Sequence, residues 1–174
     1  SLVKHFFVGI IEGEKALVEA DITTSVHPEI VKLLGRLRFR TSYGQNVLNH
    51  SIEVAHIMNV IAGEMKIDPL LARRAGLMHD LGKAVSHDVE GPHALIGGEL
   101  ARRYGEHPDV VHAIEAHHED IEMQSIWPML TQAADAVSAA RPGARRESVE
   151  SYLQRLEKLE KIVDGHPGVE KSFV

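Results

Sequence analysis

The sequence predicts an all-α fold, a single helical bundle, on three observations. Apolar residues recur every three to four positions in almost every segment, no stretch alternates like a strand, and Gly/Pro punctuation falls between the apolar segments. Leu2, Val3, Phe6, Phe7, Ile10 and Ile11 mark an amphipathic helix over the first twenty residues. "HPEIVKLLGRL" follows, with Pro28 in a first turn where its missing N–H costs nothing. A long helix is expected over 45–66, its apolar face drawn by Val47, Leu48, Ile52, Ala55, Ile57, Ile61 and Met65. "DPLLARRAGLMHD" opens with an Asp cap and a first-turn proline. Further helices are predicted at 92–104, 108–118, 125–140 and 148–163, and "VEKSFV" at the end reads as a short strand. An exposed hinge near Thr23–His27 sets residues 1–26 apart from residues 27–174.

Composition bounds the function. At 174 residues the chain has the size of one domain, large enough for a core without staples. It has no cysteine, which excludes disulfides and thiolate metal sites and fits a reducing compartment. Its apolar runs are too short for a membrane span, and no signal-peptide pattern opens it. Ser1 stands without a preceding Met, so a longer natural protein is expected. A net charge of −6 argues against a general nucleic-acid coat and leaves only local basic patches for such a partner. Histidine is unusually frequent, with twelve.

Where those histidines fall matters more than their number. "AGLMHDLGKA" puts His79 beside Asp80 where an apolar run breaks at Gly82. His50, His93, the His117–His118 pair and Asp135 each fall on or at the end of a different expected helix, the way bundles assemble metal sites from facing side chains. Asp135 sits among Ala133, Ala134, Ala136 and Val137, on a segment expected to be buried, where a carboxylate is costly unless paired or bound to a metal. A salt bridge to a buried arginine or a helix-cap contact is the lesser alternative for Asp135, and a hydrogen-bonded core histidine is the alternative for His50. His56 lies on a different side of its helix from His50, His107 and His112 read as helix-start and surface residues, and His87 and Asp88 as loop. His5, His27 and His166 have no partner pattern.

Nitrogen and carboxylate donors without sulfur suit iron, manganese or similar first-row metals better than a structural zinc. Seven side chains are too many for one ion and about enough for two. One division puts His50, His79, Asp80 and Asp135 on one ion and His93, His117 and His118 on the second, with Asp80 bridging. Paired ions of this kind sit about 3.5–4 Å apart and clamp the attacking and leaving oxygens of a phosphoryl transfer.

The order His … His-Asp … His … His-His … Asp resembles the HD-domain metal-dependent phosphohydrolases, and "HDLGK" resembles their HDIG subgroup. "VKLLGRLRFRTSYGQNVLNHSIEVAHI", "RRAGLMHDLGKAV" and "AADAVSAARPGARRESVESYLQRLEKLEKI" resemble the catalytic domain of the bacterial ribonuclease Y family, a likeness covering roughly residues 27–174. The resemblance implies a metal-dependent endoribonuclease of messenger-RNA decay, with divalent ions (Mn, Fe or Mg) as cofactors and RNA as substrate. It also implies self-association into a homodimer. Its members carry a membrane helix, a coiled coil and an RNA-binding KH domain ahead of the catalytic part. None of these patterns is visible in residues 1–26, and members usually continue with a short basic C-terminal segment. The expectation is therefore an excised or divergent catalytic piece, or a stand-alone relative. It is expected in the cytoplasm, or at the membrane if the family's anchor precedes it.

Within that resemblance Lys83 matches the family's lysine near the phosphate, where it would neutralise developing charge beside Asp80; a surface lysine is the plain alternative. Arg36, Arg38 and Arg40 alternate around Leu37 and Phe39, and Arg141, Arg145 and Arg146 flank a Pro-Gly turn after Asp135. Guanidinium groups suit bidentate phosphate contacts, although a charge cluster is more often a solvated face. Aromatics make up only 5% of the chain, which leaves Tyr43 and Trp127 as the stacking candidates, with plain packing the commoner role for both. Three functions follow: an endoribonuclease, a phosphohydrolase of nucleotides or cyclic dinucleotides, and a non-catalytic interaction module using the 148–163 helix, whose apolar spacing is close to that of a coiled coil.

Overall fold

The computed structural model describes residues 2–85, 89–141, 144 and 149–164. Helices α1 (Leu2–Glu19), α2 (Pro28–Arg36), α3 (Val47–Met65), α4 (Pro69–Met78), α5 (His93–Arg103), α6 (Pro108–Ala116), α7 (Ile126–Ala140) and α8 (Val149–Asp164) match the expected segments to within a few residues. Two 3₁₀ turns, Leu37–Phe39 and Leu81–Ala84, extend the line of α2 and follow α4. The expected strand after residue 168 lies outside the described residues, as do His87, Asp88 and His166.

Helix starts follow local chemistry. Asp68 Oδ1 accepts from the backbone N–H groups of Leu70 and Leu71, and Asn46 Oδ1 accepts from that of Asn49, each satisfying donors that a helix N-terminus leaves open. Two histidines do the same work at His-Pro starts: His27 Nδ1 accepts from Glu29 N at 3.1 Å and His107 Nδ1 from Asp109 N at 3.2 Å. His27 also stacks on Tyr104.

The sequence reading missed one element. Thr41–Ser42 (β1) and Gln45–Asn46 (β2) pair antiparallel. Strands of two residues are too short for alternation to be visible, and "SYG" reads as plain punctuation.

The core has two apolar clusters. One joins Leu33, Leu34 and Leu37 to Leu77, Met78, Leu81 and Ile114, with Ala16, Ala20 and Ile22 supplied by α1 and the turn after it. The other joins Val54 and Met58 of α3 to Ala72 and Ala75 of α4 and to Trp127 and Ala134 of α7. Trp127 is thus a packing residue. Where α3 crosses α4 the backbones nearly touch, since a Cβ on Gly76 would lie 2.7 Å from Ala55 Cα. That contact holds the end of α4 rigidly against α3.

Candidate metal centre

Five helices and one turn aim polar side chains at the point where α4 ends. α3 supplies His50, the end of α4 gives His79 and Asp80, and α5 gives His93 from its first residue. The end of α6 gives His117 and His118, and α7 gives Asp135. All seven side chains expected as ligands converge. Three groups of potential donors lie within 4.8 Å of one another: His50, His79 and Asp80; His93, His117 and His118; and His79, His117 and Asp135.

Local backbone explains the convergence. After Met78 the chain leaves α-helical geometry at Asp80 (φ −96°, ψ 13°) and tightens into the Leu81–Ala84 turn. A Cβ on Gly82 would lie 1.9 Å from the His93 carbonyl oxygen and 2.8 Å from Gly97 N. Only glycine lets α5 begin there, and that approach brings His93 Nε2 to 3.3 Å from Asp80 Oδ1. Gly82 is the reason the apolar run breaks where it does.

His79 and His117 are fully buried, and Asp80 is 1% exposed. His79 Nδ1 donates to the Gly76 carbonyl at 2.8 Å, and His117 Nδ1 to the Ile114 carbonyl at 2.7 Å. Both rings are thereby held with Nε2 unprotonated and turned into the cluster, the arrangement that metal-ligating histidines adopt. His50 Nε2 lies 2.9 Å from Asp135 Oδ1, and its Nδ1 lies 2.9 Å from Ser138 Oγ. Lys83 Nζ donates to Asp80 Oδ2 at 2.8 Å.

Electrostatics follow from crowding. Burial pushes the His79 pKa down against the pull of Asp80 and Asp135. Burial, then His79 and His118, takes His117 down to about 3. His118 is lowered by burial and by His93. Burial alone would raise the carboxylates, but His79, His93 and Lys83 hold Asp80 well below the usual range. Against burial, His50 and His79 bring Asp135 to about 2. The shifts favour the neutral form of His79, His117 and His118 and the ionised form of Asp80 and Asp135, the forms in which imidazole and carboxylate ligate metal.

That donor set fits divalent metal. Four of the eight buried side-chain polar atoms lacking a hydrogen bond among the described residues lie here: His79 Nε2, His93 Nε2, His117 Nε2 and Asp80 Oδ1. Buried polar atoms are normally hydrogen-bonded, so four that are not, gathered here with His93 Nε2 and Asp80 Oδ1 only 3.3 Å apart, mark a place for a ligand.

A family model described as the HD domain matches residues 47–140, more than half of the chain and the span from the start of α3 to the end of α7. The chain belongs to the HD domain family. Over most of its length the chain is similar to curated proteins named Ribonuclease Y. The one from Acidothermus cellulolyticus is 65% identical over 161 residues, covering 92% of this chain and 33% of that protein. Those from Thermoanaerobacter pseudethanolicus and Clostridium kluyveri are 62% and 61% identical, over 92% and 93% of this chain and 32% and 31% of theirs. The chain thus spans about a third of the length of the curated relatives it matches. No solved structure matches it significantly.

Other expectations for this HD domain meet the structure differently. Asp135 is not enclosed in apolar core: Ala133, Ala136 and Val137 beside it are exposed. α7 turns Trp127, Pro128, Thr131, Ala134 and Ser138 inward, so Asp135 lies at the edge of that face and borders an open cavity. Arg141 pairs with Glu53, and Arg145 and Arg146 lie outside the described residues. His56 is exposed on α3. Two residues of the centre had escaped the sequence reading. Ser138 Oγ donates to Glu53 Oε2 at 3.0 Å while contacting His50, so Glu53 and Ser138 steady the His50 ring. The spacing held the signal: Glu53 follows His50 by three, and Ser138 follows Asp135 by three, each on its partner's helix face.

Among the described residues no helix is long and apolar enough to cross a membrane.

Proposed function

We propose that this HD domain hydrolyses phosphodiesters with divalent metal, and that in its whole protein it cuts RNA internally as in messenger-RNA decay. The observation that carries the reading is the set of four buried polar atoms without a hydrogen bond, one of them on His93, which also lines a cavity of about 370 Å³ with His50, Lys83, His118 and Asp135. Identity of about 60–65% to proteins named Ribonuclease Y supports RNA as the substrate.

His50, His79, Asp80 and Asp135 would hold one ion and His93, His117 and His118 the other, with Asp80 between them; manganese or iron suits these donors better than magnesium alone. Bound there, the ions would supply Lewis-acid polarisation of the phosphoryl group and activation of water. The protein's own residues do the rest. The Gly76 and Ile114 carbonyls fix two ligand rings, and Ser138 and Glu53 fix a third. Lys83, lining the cavity, places its ammonium where charge develops on phosphoryl oxygens, with Asp80 aiming it. Arg141 reaches a phosphate only by leaving Glu53. A homodimer belongs to the same reading, with α8 as partner surface; its Leu153, Ile162 and Val163 are exposed.

The test is cleavage of an end-labelled, 5′-monophosphorylated RNA beside a panel of nucleotides and cyclic dinucleotides, with Mn²⁺ or Mg²⁺ added and Asp80→Ala as control. Internal cuts that vanish in the control are expected. Turnover of the small substrates alone would make this a nucleotide phosphohydrolase instead.

A further inference from the structure

The β1–β2 hairpin is built with more constraint than a connection between two helices requires. Its central residues, Tyr43 and Gly44, both have positive φ, 49° and 85°. Such turns favour Asn-Gly, because the left-handed region disfavours residues with large side chains. Tyr43 is nevertheless 80% exposed, so burial in the core does not explain a tyrosine there. The hairpin is also pinned. Asn46 Nδ2 donates to the Arg38 carbonyl at 2.7 Å, Val47 N donates to that of Arg40 at 3.1 Å, and Asn46 caps α3, the helix that carries His50.

The hairpin stands between two cavities. The first, over the metal centre, has Tyr43 and Gln45 on one side and His50, His118 and Asp135 on the other. The second, of about 350 Å³, is walled by Arg40, Thr41 and Gly91. Both reach Ser42, Lys83 and His93, so they adjoin across the lysine beside Asp80. Arg40 Nη2 donates to the Ala84 carbonyl at 3.5 Å, which keeps the guanidinium next to that divide.

We propose that the hairpin positions single-stranded RNA across the centre: Tyr43 stacks a base on one side of the scissile phosphate, and Arg40, with the Thr41 and Ser42 hydroxyls, holds the next phosphate in the second cavity. A phosphate on the Lys83 divide has a neighbour on each side in a chain substrate, which two adjoining cavities accommodate. Exposed aromatics and guanidinium groups are the usual means of gripping a single strand without base-specific readout. The inference rests on the phosphodiester reading of the centre but concerns residues outside it.

The experiment measures binding of a fluorescein-labelled hexanucleotide RNA by anisotropy in EDTA, where nothing is cut. Tyr43→Asn and Arg40→Gln should each weaken binding about tenfold. Arg40→Gln should also flatten the salt dependence by about one released ion. Tyr43→Phe should bind as the parent does. Tyr43→Asn relieves the turn and should raise the melting temperature, so its weaker binding cannot be misfolding. Arg103→Gln, the same charge change at an exposed arginine on α5 paired with Glu99, should bind as the parent does. Affinities of Tyr43→Asn and Arg40→Gln within twofold of the parent, or no RNA binding by the parent, would overturn the proposal. Hydrolysis of bis(p-nitrophenyl) phosphate, which has no base, is run in parallel. If the parent hydrolyses it with Mn²⁺ while the binding arms fail, the hairpin assignment falls and the centre stands.

Discussion

Two buried ionic groups lie within five residues of one another along α4 and the turn after it, and they are opposites. Arg74 is 8% exposed, and all its guanidinium nitrogens are used: Nε donates to Glu106 Oε2 at 3.0 Å, Nη2 to Glu106 Oε1, and Nη1 to Thr24 Oγ1 at 2.9 Å. It ties α4 to the turn before α6 and to the segment joining α1 and α2. His79 and Asp80 are buried as deeply, yet His79 Nε2 and Asp80 Oδ1 have no hydrogen bond. A charge buried with every partner supplied is structural. A charge buried with its donor atoms left over is arranged for something the protein does not itself contain.

Breaking the open site should have the largest effect. His79→Ala and Asp80→Ala are each expected to abolish metal retention and hydrolysis while the far-ultraviolet circular dichroism stays near that of the parent. The closed site should respond in the reverse way. Glu106→Leu leaves Arg74 buried and uncompensated and should cost about 3–5 kcal/mol of stability in denaturant titration. Adding Arg74→Met should recover most of that loss, and the double variant should still bind metal. Equal behaviour of the two sites in these assays would end the distinction between them.

A smaller effect is expected one step out from the ligands. Ser138→Ala removes the hydroxyl between His50 and Glu53 and should lower metal affinity by about 10–100-fold with little change in melting temperature. Ser138→Thr, which keeps a hydroxyl, should restore it.

The smallest effect at neutral pH emerges only on acidification. His79 and His117 have folded pKa values below the ordinary 6.5, so in the acid range the unfolded chain binds more protons than the folded one. Metal-free stability should therefore be complete above about pH 6.5 and fall as pH drops towards 3, the value for His117. Asp135 extends the decline from 3.8 to about 2. Melting curves from pH 8 to pH 4 would measure this. His117→Leu should flatten the slope, whereas a charge-free change on the closed site, the Arg74→Met/Glu106→Leu pair, should not.

The fold and the converging side chains were legible in the sequence for one reason: both are written in spacing. Three-to-four-residue apolar periodicity placed the helices, and polar residues interrupting that periodicity at helix ends picked out His79, Asp80 and His117. What it concealed depends on contacts between residues far apart in the chain. Arg74 and Glu106 are 32 positions apart and look like ordinary surface charges until folding joins them. Glu53 and Ser138 are 85 apart. The role of His27 was concealed differently, because an imidazole capping a helix and one ligating a metal carry the same letter; His107, by contrast, was legible as a helix-start residue. Asp135 shows the converse error: alanines around a carboxylate suggested enclosure, but small apolar residues are common on exposed helix faces too.

The most direct test of the central claim is a calorimetric titration of the metal-stripped protein with Mn²⁺, run on the parent, on Asp80→Ala and on the Arg74→Met/Glu106→Leu pair. The account predicts up to two ions per chain for the parent and for the pair, and loss of binding for Asp80→Ala. Undiminished binding by Asp80→Ala, or none by the parent, would contradict it.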